Sequence, residues 1–546
     1  MKKSFLVLVS LCLLTVSALS AEEKIEADVV IYGDSSAAVT AAVQVKKMGK
    51  NPVIVTPAKH LGGLSSSGLG WTDSGKKEVI GGLAREFYHR IWEYYQQDSA
   101  WTLVPKPDSE HPFRGMDNES ETMWVFEPSV AEKMMDRFVG EYNIPVYRGE
   151  FIKRETGVAK EGAAIKSISM TSGKTFVGKI FIDATYAGDL IEFADVSYTV
   201  GRESNDQYGE TLNGIQTGRA VYHQFEGVVD PYFEPGNPDS GFLPGLSLGA
   251  GGPDGSADRK VQAYCYRLCL TNIPENRVPF EKPEGYDEAD YELLFRSIEA
   301  GQKVFCTFSM MPNGKTDTNN NMAVSTDFIG ENYDFPDTFD LRRNEIYINH
   351  IRWQKGLFWT LANHPRVPES IRAEFSQWGL AKDEFTDNEN WPYQIYLREG
   401  RRMVSDFVET ERHLRRQAEI SNSVGMGSYG MDSHHCQRYV AETEDGKLTV
   451  RNEGDVQVPT GGPYPISYDA LVPKKTEAEN LLVPVCVSCS HIAYGSIRME
   501  PVFMILGQSA ATAAVLSLEQ GVLPADLPYD LLRSRLLEDG QVLETP

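Results

Sequence analysis

The sequence predicts an α/β fold in which one parallel sheet is assembled from both ends of the chain. Near the N-terminus, an apolar run at 28–32, a turn of small residues, an alanine-rich run at 37–48 and a second apolar run at 52–56 follow one another within thirty residues. That order is typical of a βαβ unit. Near the C-terminus, a strand-like run at 480–486 precedes a helical run at 501–519 that begins with proline.

The bulk composition favours a large buried core and disfavours two classes of partner. The chain has 546 residues, and 41% of them are hydrophobic, which is enough for more than one domain. Its formal net charge of −24 disfavours binding to nucleic acid or to an anionic membrane surface. The composition itself says nothing positive about the substrate, and the expected partner, a small-molecule or saccharide substrate, rests on the segments described below.

The first twenty residues have the layout of a secretory signal peptide. Lys2 and Lys3 precede an apolar run at 5–16, and small residues at 18–20 predict cleavage after Ser20. The apolar run is too short to span a bilayer, which needs about 20 residues. The expected location is therefore the periplasm or the extracellular space, without a membrane anchor after cleavage.

Cysteine spacing gives little sign of disulfides or of metal binding. Six of the seven cysteines lie beyond residue 20, which is sparse for this length. Cys486 and Cys489 form a C-x-x-C pair inside an apolar run, so we interpret them as two small buried residues rather than a redox pair. Whether they form a disulfide is left open. No second pair follows at the spacing of a zinc site, and no metal is expected.

The turn after the first strand is a partial match to a dinucleotide-binding turn. Such a turn needs a tight bend, close approach of the backbone to the pyrophosphate, and a helix N-terminus that faces it. Gly33 occupies the first glycine position, but Ser35 and Ala38 replace the other two, and Ser36 adds a hydroxyl donor. At the end of the second strand, Thr56 stands where an acidic residue usually binds the ribose. These five residues are candidate cofactor-binding residues.

Three later segments carry a further pattern of small and charged residues. Segment 59–73 contains a Gly-Gly pair, segment 181–190 contains Asp-Ala-Thr, and segment 491–514 ends in an alanine-rich helix. Together they resemble a broad family of FAD-dependent oxidoreductases, in which the matching segments lie along the flavin and the dinucleotide. The resemblance covers nearly the whole mature chain. It is closest to secreted members from bacteria that degrade polysaccharides.

The resemblance implies FAD, held in a Rossmann-type domain of the glutathione-reductase-like type. Tyr186 stands where the second segment usually has glycine. A helix beginning near 500–501 would direct its positive end at the flavin N1 and C2 carbonyl. The matching segments add seven candidate cofactor-binding residues, namely Gly62, Gly63, Asp183, Ala184, Thr185, Arg498 and Glu500.

The segments also predict a discontinuous domain organisation. The middle of the chain is rich in Asn, Gly, Pro and aromatic residues, and its helical patterns lie at 342–363 and 394–419. We assign an FAD-binding domain to 25–75 plus 140–200 plus 465–520, a substrate or cap region to 76–139 and 201–464, and a C-terminal tail to 521–546.

Three residues are candidate catalytic groups, because a flavin supplies hydride chemistry and the protein supplies positioning and a base. His491 lies just before the flavin-facing segment. His434 closely follows Asp432, whose carboxylate could orient the imidazole. Arg402 could bind an anionic substrate group. For each of them a structural role, as a buried histidine or one half of an ion pair, stays open.

The combined expectation is an exported FAD-dependent oxidoreductase that transfers a hydride from a small or sugar-derived substrate to flavin N5. Its electron acceptor is not identified by the sequence. One alternative is a polysaccharide lyase or hydrolase, which would turn over a glycan without an electron acceptor. Another is a non-catalytic glycan-binding protein on a degenerate Rossmann scaffold. A nicotinamide-dependent dehydrogenase is a weaker alternative, because exported proteins seldom meet free NAD.

Overall fold

The computed structural model describes residues 23–108 and 110–545, and the expected signal peptide lies outside the described residues. The strands are β1 (Glu23–Tyr32), β2 (Pro52–Thr56), β3 (Met116–Asp117), β4 (Thr122–Met123), β5 (Val146–Arg148), β6 (Val158–Glu161), β7 (Ala164–Ser169), β8 (Lys174–Asp183), β9 (Tyr198–Thr199), β10 (Leu246–Leu248), β11 (Leu268–Thr271), β12 (Arg277–Pro279), β13 (Cys306–Met311), β14 (Lys315–Asn320), β15 (Gly379–Ala381), β16 (Arg402–Met403), β17 (Ser423–Gly427), β18 (Met431–Ser433), β19 (Gln437–Glu442), β20 (Leu448–Glu453), β21 (Val456–Val458), β22 (Tyr464–Ser467) and β23 (Leu481–Leu482). The helices are α1 (Ser36–Lys47), α2 (Gly82–Tyr95), α3 (Pro128–Glu141), α4 (Asp189–Phe193), α5 (Asn205–Tyr208), α6 (Glu292–Glu299), α7 (Asp340–Asn363), α8 (Glu369–Phe375), α9 (Glu411–Leu414), α10 (His491–Ile497), α11 (Glu500–Gln520) and α12 (Tyr529–Glu538).

The largest sheet has a parallel centre in the order β5-β2-β1-β8, and β23 adds a further parallel strand beside the end of β8. Residues 29–31 of β1 are fully buried, as expected for a parallel strand covered on both faces. Tyr32 at the end of β1 pairs with Asp183 at the end of β8. The carboxyl ends of these strands therefore share one edge, where α/β sheets bind their ligands. The α/β fold with a Rossmann-type sheet is confirmed.

Strand β8 changes partner along its length. Its first half pairs antiparallel with β7, and its last residues pair with β23. The apolar run at 480–486 forms only the short strand β23, because Pro484 has no N–H for a ladder and the N–H of Val483 donates to Leu471 O. The C-terminal strand is therefore shorter than the sequence pattern predicts.

Helices α1 and α11 pack closely against each other. A Cβ at Gly507 would lie 2.4 Å from Ala37 O, so only glycine permits this approach. Thr40 Oγ1 adds a hydrogen bond of 2.9 Å to Met504 O. Among the described residues, α11 is the one helix long and apolar enough to cross a membrane, but most of it is buried inside the fold. It is a core helix that joins the two ends of the chain.

Other helices from both flanks pack on this pair. Helix α3 contacts α1, while α2 and α12 contact α11. The N–H of Gly82, at the start of α2, donates to Gly540 O in the C-terminal segment at 2.8 Å. Parts of 76–139 and 521–546 thus lie against α1 and α11.

The middle of the chain forms a cap with its own sheets, the larger in the order β12-β15-β11-β14-β13. The helix expected at 342–363 is present as α7, but the helix expected at 394–419 is wrong. That stretch contains only the short elements β16 and α9. A Cβ at Gly400 would lie 2.6 Å from Tyr186 O, so the chain must cross there without a side chain. Its charged residues Glu399 and Arg402 are fully buried rather than on a solvated helix face.

The six cysteines within the described residues are free and buried. Burial raises the pKa of both Cys486 and Cys489 well above the ordinary thiol value. This agrees with the interpretation of the pair as small buried residues, because a reactive thiol needs a lowered pKa.

Candidate functional site

Two adjoining cavities lie at the carboxyl edge of the central sheet. The larger, of about 420 Å³, is lined by residues that follow β1 and β8, among them Thr185. The smaller, of about 210 Å³, is lined by Lys59, His60 and Gly63. Four residues line both cavities and show that they adjoin, namely Asp34, Ala58, Tyr393 and Gln394.

Gly33 lets the turn after β1 pass directly against the segment that follows β8. Its φ is +130°, and a Cβ there would lie 2.4 Å from Ala184 O and 2.8 Å from Thr185 N. Ser35 Oγ donates to the same Ala184 carbonyl at 2.6 Å. The predicted turn after β1 and the predicted segment after β8 are therefore locked together by direct contact.

The N-terminus of α1 offers free N–H groups. No side chain caps it, and its first turn carries no acidic residue. The hydroxyl of Ser36 is not directed at a ligand, because it donates to Glu500 Oε2 at 2.7 Å. Asp34 lies beside this N-terminus, and burial raises the pKa of its carboxyl to about 7, which reduces its charge near neutral pH. A helix N-terminus of this kind favours an anionic group.

The ribose position at the end of β2 is neutral and already bonded. Thr56 is fully buried, and its Oγ1 accepts a hydrogen bond of 3.0 Å from the N–H of Ala58. Ala38 is buried inside α1, where it leaves room for close packing. The residues of the dinucleotide motif are thus present, but the carboxylate that usually holds the ribose is not supplied by β2.

Glu500, at the start of α11, ties three parts of the site together. Its carboxylate accepts hydrogen bonds from Ser36 Oγ at 2.7 Å, Ser65 Oγ at 2.9 Å and Tyr186 OH at 2.6 Å. Burial raises the pKa of Glu500 above its ordinary value. Glu500 therefore joins the N-terminus of α1, the glycine-rich loop and the segment after β8.

Replacing Glu500 by alanine is expected to lower the free energy of unfolding by several kcal/mol. Each buried hydroxyl left without a partner costs about 1–3 kcal/mol. Urea unfolding followed by circular dichroism measures the loss of stability, and the amount of FAD that the variant releases measures the damage to the cofactor site. Glu500→Gln keeps the size and one acceptor oxygen, so it should be much milder. Equal stability of Glu500→Ala and the wild type would contradict this role.

The other predicted residues of these segments shape the loops around the cavities. Asp183 accepts from Thr185 N, Thr185 Oγ1 and Ile191 N at 3.0, 2.7 and 2.9 Å, and burial raises its pKa to about 6. A Cβ at Gly63 would lie 2.1 Å from Tyr186 OH, and the N–H of Leu64 donates to the same oxygen at 3.0 Å. Tyr186 thus fills the space that the glycine of this loop leaves.

Gly62 begins the bend of the loop. Its φ is +96°, and a Cβ there would lie 2.8 Å from a side-chain carbon of Met135 on α3. Its N–H donates to Asp34 O at 2.8 Å. Gly62 therefore fixes the loop against the turn after β1.

A contact between the cap and the loop after β2 lines the smaller cavity, and no sequence pattern predicted it. Lys59 forms an ion pair with Asp387, which also accepts from Tyr393 OH at 2.8 Å. The His60 ring stacks on the Tyr393 ring with centroids 3.4 Å apart. Lys59 and His60 directly precede the Gly-Gly loop, but nothing in the sequence pairs them with residues more than 300 positions away.

His491 and Arg402 belong to one buried ionic network. His491 Nδ1 lies 2.8 Å from Glu399 Oε2, and Arg402 pairs with both Glu399 and Glu203, the latter at 2.6 Å. Burial lowers the pKa of His491 to about 3, so the ring stays neutral. Neither residue lines the two cavities above. Their catalytic roles stay predictions, and their contacts are those of residues that position other groups.

His434 sits between two carboxylates. Its Nδ1 lies 2.7 Å from Asp327 Oδ2, and its Nε2 lies 3.6 Å from Asp432 Oδ2. Burial and the Arg398 guanidinium oppose protonation of His434, yet the two carboxylates raise its pKa above the ordinary value. Arg498 also holds Asp432, with Nη2 3.1 Å from Oδ2. The expectation that a carboxylate orients His434 agrees with this geometry, while Arg498 is held here by protein groups.

A third cavity opens beside this cluster, and we call it the polar cavity after its side chains Lys76, Asp432, Gln457 and Thr460, although most of its lining is apolar. Its volume is about 570 Å³, and its lining includes Asp432, Tyr429, Gln457 and Thr460. Although burial opposes it, His434 and Arg498 lower the pKa of Asp432 to about 2, so this wall carries a fixed negative charge. A polar cavity with an ionised carboxylate and an aromatic ring suits a ligand rich in hydroxyl groups.

Asp73 does not line the polar cavity itself but contacts Tyr429 of its lining, and sequence reasoning did not single Asp73 out. It ends the loop that starts at Lys59, and it lies beside Tyr429, whose pKa its carboxylate raises. Burial raises the pKa of Asp73 itself, and the neighbouring Asp432 adds to this effect. An acidic residue at the end of a glycine-rich loop was the signal that could have identified it.

An uncapped helix N-terminus beside a cavity at the carboxyl edge of a parallel sheet is typical of dinucleotide-binding proteins. The sequence profile described as FAD dependent oxidoreductase matches residues 28–536, so the chain belongs to the FAD-dependent oxidoreductase family. The expected cofactor, FAD, and the expected enzyme class are confirmed. A search of curated proteins gave no match.

Solved structures of flavoenzyme type are similar over part of the chain. OxyS anhydrotetracycline hydroxylase from Streptomyces rimosus shares 13% identity over 33% of this chain and 36% of its own, with a TM-score of 0.22. L-Proline dehydrogenase from P. horikoshii shares 14% over 33% and 58%, with a TM-score of 0.23. L-Amino acid deaminase from Proteus vulgaris shares 16% over 33% and 61%, with a TM-score of 0.22. The chain thus spans less than two thirds of the length of each of these three proteins.

The residues present fit FAD. Gly33 and Gly62 have positive φ and let the turn after β1 and the loop after β2 pack closely against the segment after β8 and against α3, which shapes the carboxyl edge around the two cavities. The N-terminus of α1 has free N–H groups for a pyrophosphate. The two adjoining cavities give an extended ligand room along the carboxyl edge. The candidate cofactor residues on these loops stay predictions, each to be tested by FAD affinity.

Proposed function

We propose that the chain is an exported enzyme that oxidises a hydroxyl-bearing, sugar-derived substrate at the polar cavity beside His434. The observation that carries the proposal is the lining of this cavity, in which Asp432, Gln457 and Thr460 offer hydrogen bonds and Tyr429 offers a ring face. Sugars present hydroxyl groups around an apolar ring, and this lining complements both. Bound FAD supplies the hydride acceptor for the substrate C–H bond.

The chain's own residues must remove the hydroxyl proton of such a substrate. We assign this role to Asp73, which reaches the cavity through its hydrogen bond with Tyr429 of the lining. Its raised pKa also brings it closer to neutral pH than an ordinary aspartate, as a general base requires. The predicted catalytic residue His434 is then a positioning residue. It holds Asp432 ionised beside the substrate through the contact at 3.6 Å.

The test is reduction of the enzyme-bound flavin by a panel of substrates without oxygen. Sugars and sugar alcohols are expected to bleach the visible flavin absorption, whereas amino acids are not. Bleaching by amino acids alone would contradict the substrate class. Cleavage of a polysaccharide without any electron acceptor would instead favour the lyase or hydrolase alternative.

Asp73→Asn is expected to slow flavin reduction by about 10²- to 10⁴-fold, the usual contribution of a general base. The bound FAD should be unchanged, because Asp73 is assigned to proton transfer and not to cofactor binding. Asp445→Asn, a change at an exposed aspartate, is the matched control and should react like the wild type. Reduction of the Asp73 variant at the wild-type rate would exclude the assignment.

Export is part of the proposal and is supported by the basic start and the apolar run at 5–16. N-terminal sequencing of the protein recovered from the periplasm or medium is expected to begin at Ala21. Recovery of a chain that still starts at Met1 would contradict export.

A further inference from the structure

The cap contains a separate cavity of about 550 Å³, remote in sequence from the glycine-rich loops. This volume lies within the range of ordinary ligand sites, about 300–1,000 Å³. The inner wall of the cavity is largely apolar and includes Leu243, Val324, Phe328 and Ile329. The Phe328 ring is held in place by stacking on Trp353, with centroids 4.5 Å apart and planes at 12°. The cavity therefore has a rigid apolar side.

Two arginines on its wall form no ion pair with another described residue, and only more distant carboxylates act on their charge. These are Asp327 and Glu331 for Arg438 and Asp290 for Arg352. Arg438 Nε donates to Asn452 Oδ1 at 3.2 Å and its Nη2 donates to Ala323 O at 3.1 Å, both of them neutral acceptors. Arg352 Nε is buried without a hydrogen-bond partner. Within residues 23–108 and 110–545, no carboxylate lies within ion-pair distance of either guanidinium. Burial lowers the pKa of Arg438 to about 10, and the residue stays charged at neutral pH.

Arginines without an ion pair beside an apolar wall favour a ligand that carries an anionic group on an apolar body. A charge taken out of water is costly unless an opposite charge or a set of hydrogen bonds compensates it. The third arginine of the lining does not share this condition, because Arg296 is 2.8 Å from Glu292. The charge of Arg352 and Arg438 is thus compensated only from a distance, and one anionic group of a ligand would complete the compensation.

The remaining charges of the cavity limit how many negative charges the ligand carries. Asp287, Asp290 and Glu331 also line it, and all three are exposed at its rim. A polyanion would meet these carboxylates, whereas a monoanion with its charge at the arginines would present only its apolar body to the other walls. The cavity thus favours a monocarboxylate over a polycarboxylate.

We propose that this cap cavity is a second ligand site, which binds a small organic monocarboxylate with an apolar body. Its carboxylate pairs with Arg352 and Arg438, and its body packs against Val324 and Phe328. The site goes beyond the proposed oxidation, because none of these residues lines the polar cavity or the cavities at the carboxyl edge. Phe328 directly follows Asp327, which forms an ion pair with His434. A ligand packed against Phe328 would therefore lie next to the residue that positions His434.

Calorimetric titration of the FAD-loaded protein with phenylacetate tests the proposal. Phenylacetate is expected to bind, and phenylacetamide, which has the same shape without the charge, is expected to bind at least 10-fold more weakly. Citrate should not bind at this site, because of the rim carboxylates. Equal affinity for phenylacetate and phenylacetamide would overturn the proposal, as would the absence of phenylacetate binding at millimolar concentration.

Two kinds of variant separate the site from general folding. Arg352→Gln and Arg438→Gln are each expected to weaken phenylacetate binding by about 10- to 100-fold, the usual effect of losing a charge-assisted hydrogen bond. Val324→Phe fills the apolar end and should block binding while both arginines remain. Thermal melting confirms that each variant is folded. A folded Arg438→Gln that binds phenylacetate like the wild type would refute the assignment.

Discussion

Replacing Gly33 by alanine is expected to prevent FAD binding and to unfold the edge of the central sheet. The new methyl group would lie 2.4 Å from Ala184 O and 2.8 Å from Thr185 N, and both are backbone atoms that no rotamer change can move. The φ of +130° adds strain for any residue with a Cβ. The turn after β1 would have to separate from the end of β8, which breaks the bond from Ser35 Oγ to Ala184 O.

A substitution at a second glycine separates the steric clash from the backbone strain as causes of this effect. Gly49, just after α1, also has a positive φ, +78°, but a Cβ there meets no atom within 4 Å. Gly49→Ala should therefore show backbone strain alone, about 1–3 kcal/mol, and retain FAD. Gly33→Ala should lose several kcal/mol more, measured by urea unfolding, and release its flavin. Similar stability and FAD content in the two variants would contradict the explanation that the close contact with Ala184 requires a glycine at position 33.

The N-terminal half of the site is predictable from sequence because its determinants are local. The helix expected at 37–48 and the strand expected at 52–56 appear as α1 and β2 to within one residue. The strand expected at 28–32 appears as β1, which begins five residues earlier, at Glu23. Gly33 could be recognised because a tight turn and a close crossing need a glycine at that point of a βαβ unit. The start of α11 near Glu500 could also be predicted, because proline at a first helical position marks a helix N-terminus.

The functions of the polar residues could not be predicted in the same way, because they depend on partners distant in sequence. Arg402 looked like a candidate substrate contact until Glu399 and Glu203 were found to surround it. His491 is neutral and enclosed only because the cap brings Glu399 to it. The expected helix at 394–419 failed for a related reason, since its charged residues are buried and paired. A charge pattern in sequence does not reveal whether its counter-charges come from solvent or from another segment.

Glu409→Gln is expected to make the stability of the protein less sensitive to alkaline pH. Glu409 is fully buried, its Oε1 has no partner, and its Oε2 accepts only the N–H of Ser467 at 3.1 Å. Burial raises the pKa of Glu409 from an ordinary value of 4.5 to about 8. The fold therefore favours the protonated form. This contribution is complete below pH 4.5 and is lost as the pH rises through 8, by an amount on the order of 4 kcal/mol.

Unfolding by urea at pH 5 and at pH 9 measures this dependence. At pH 5 glutamine should resemble the protonated acid, because both are neutral and both keep an acceptor oxygen for the N–H of Ser467, and the variant should match the wild type. At pH 9 the variant should be the more stable of the two. Glu538→Gln, at an exposed position, is the control and should follow the wild type at both values. A Glu409 variant that loses as much stability as the wild type between pH 5 and pH 9 would contradict the argument.

Part of the alkaline sensitivity should persist in the Glu409 variant, because other carboxyl groups of the core share its condition. Burial raises the pKa of Asp34, Glu384 and Asp455 to about 7 and that of Asp183 to about 6. Two of these, Asp34 and Asp183, lie at the cofactor edge, where bound FAD would add negative charge beside Asp34 and favour its protonated form further. Loading with FAD is therefore expected to shift the loss of stability at Asp34 to higher pH, while the loss at Glu409, distant from that edge in sequence and contact, stays where it is.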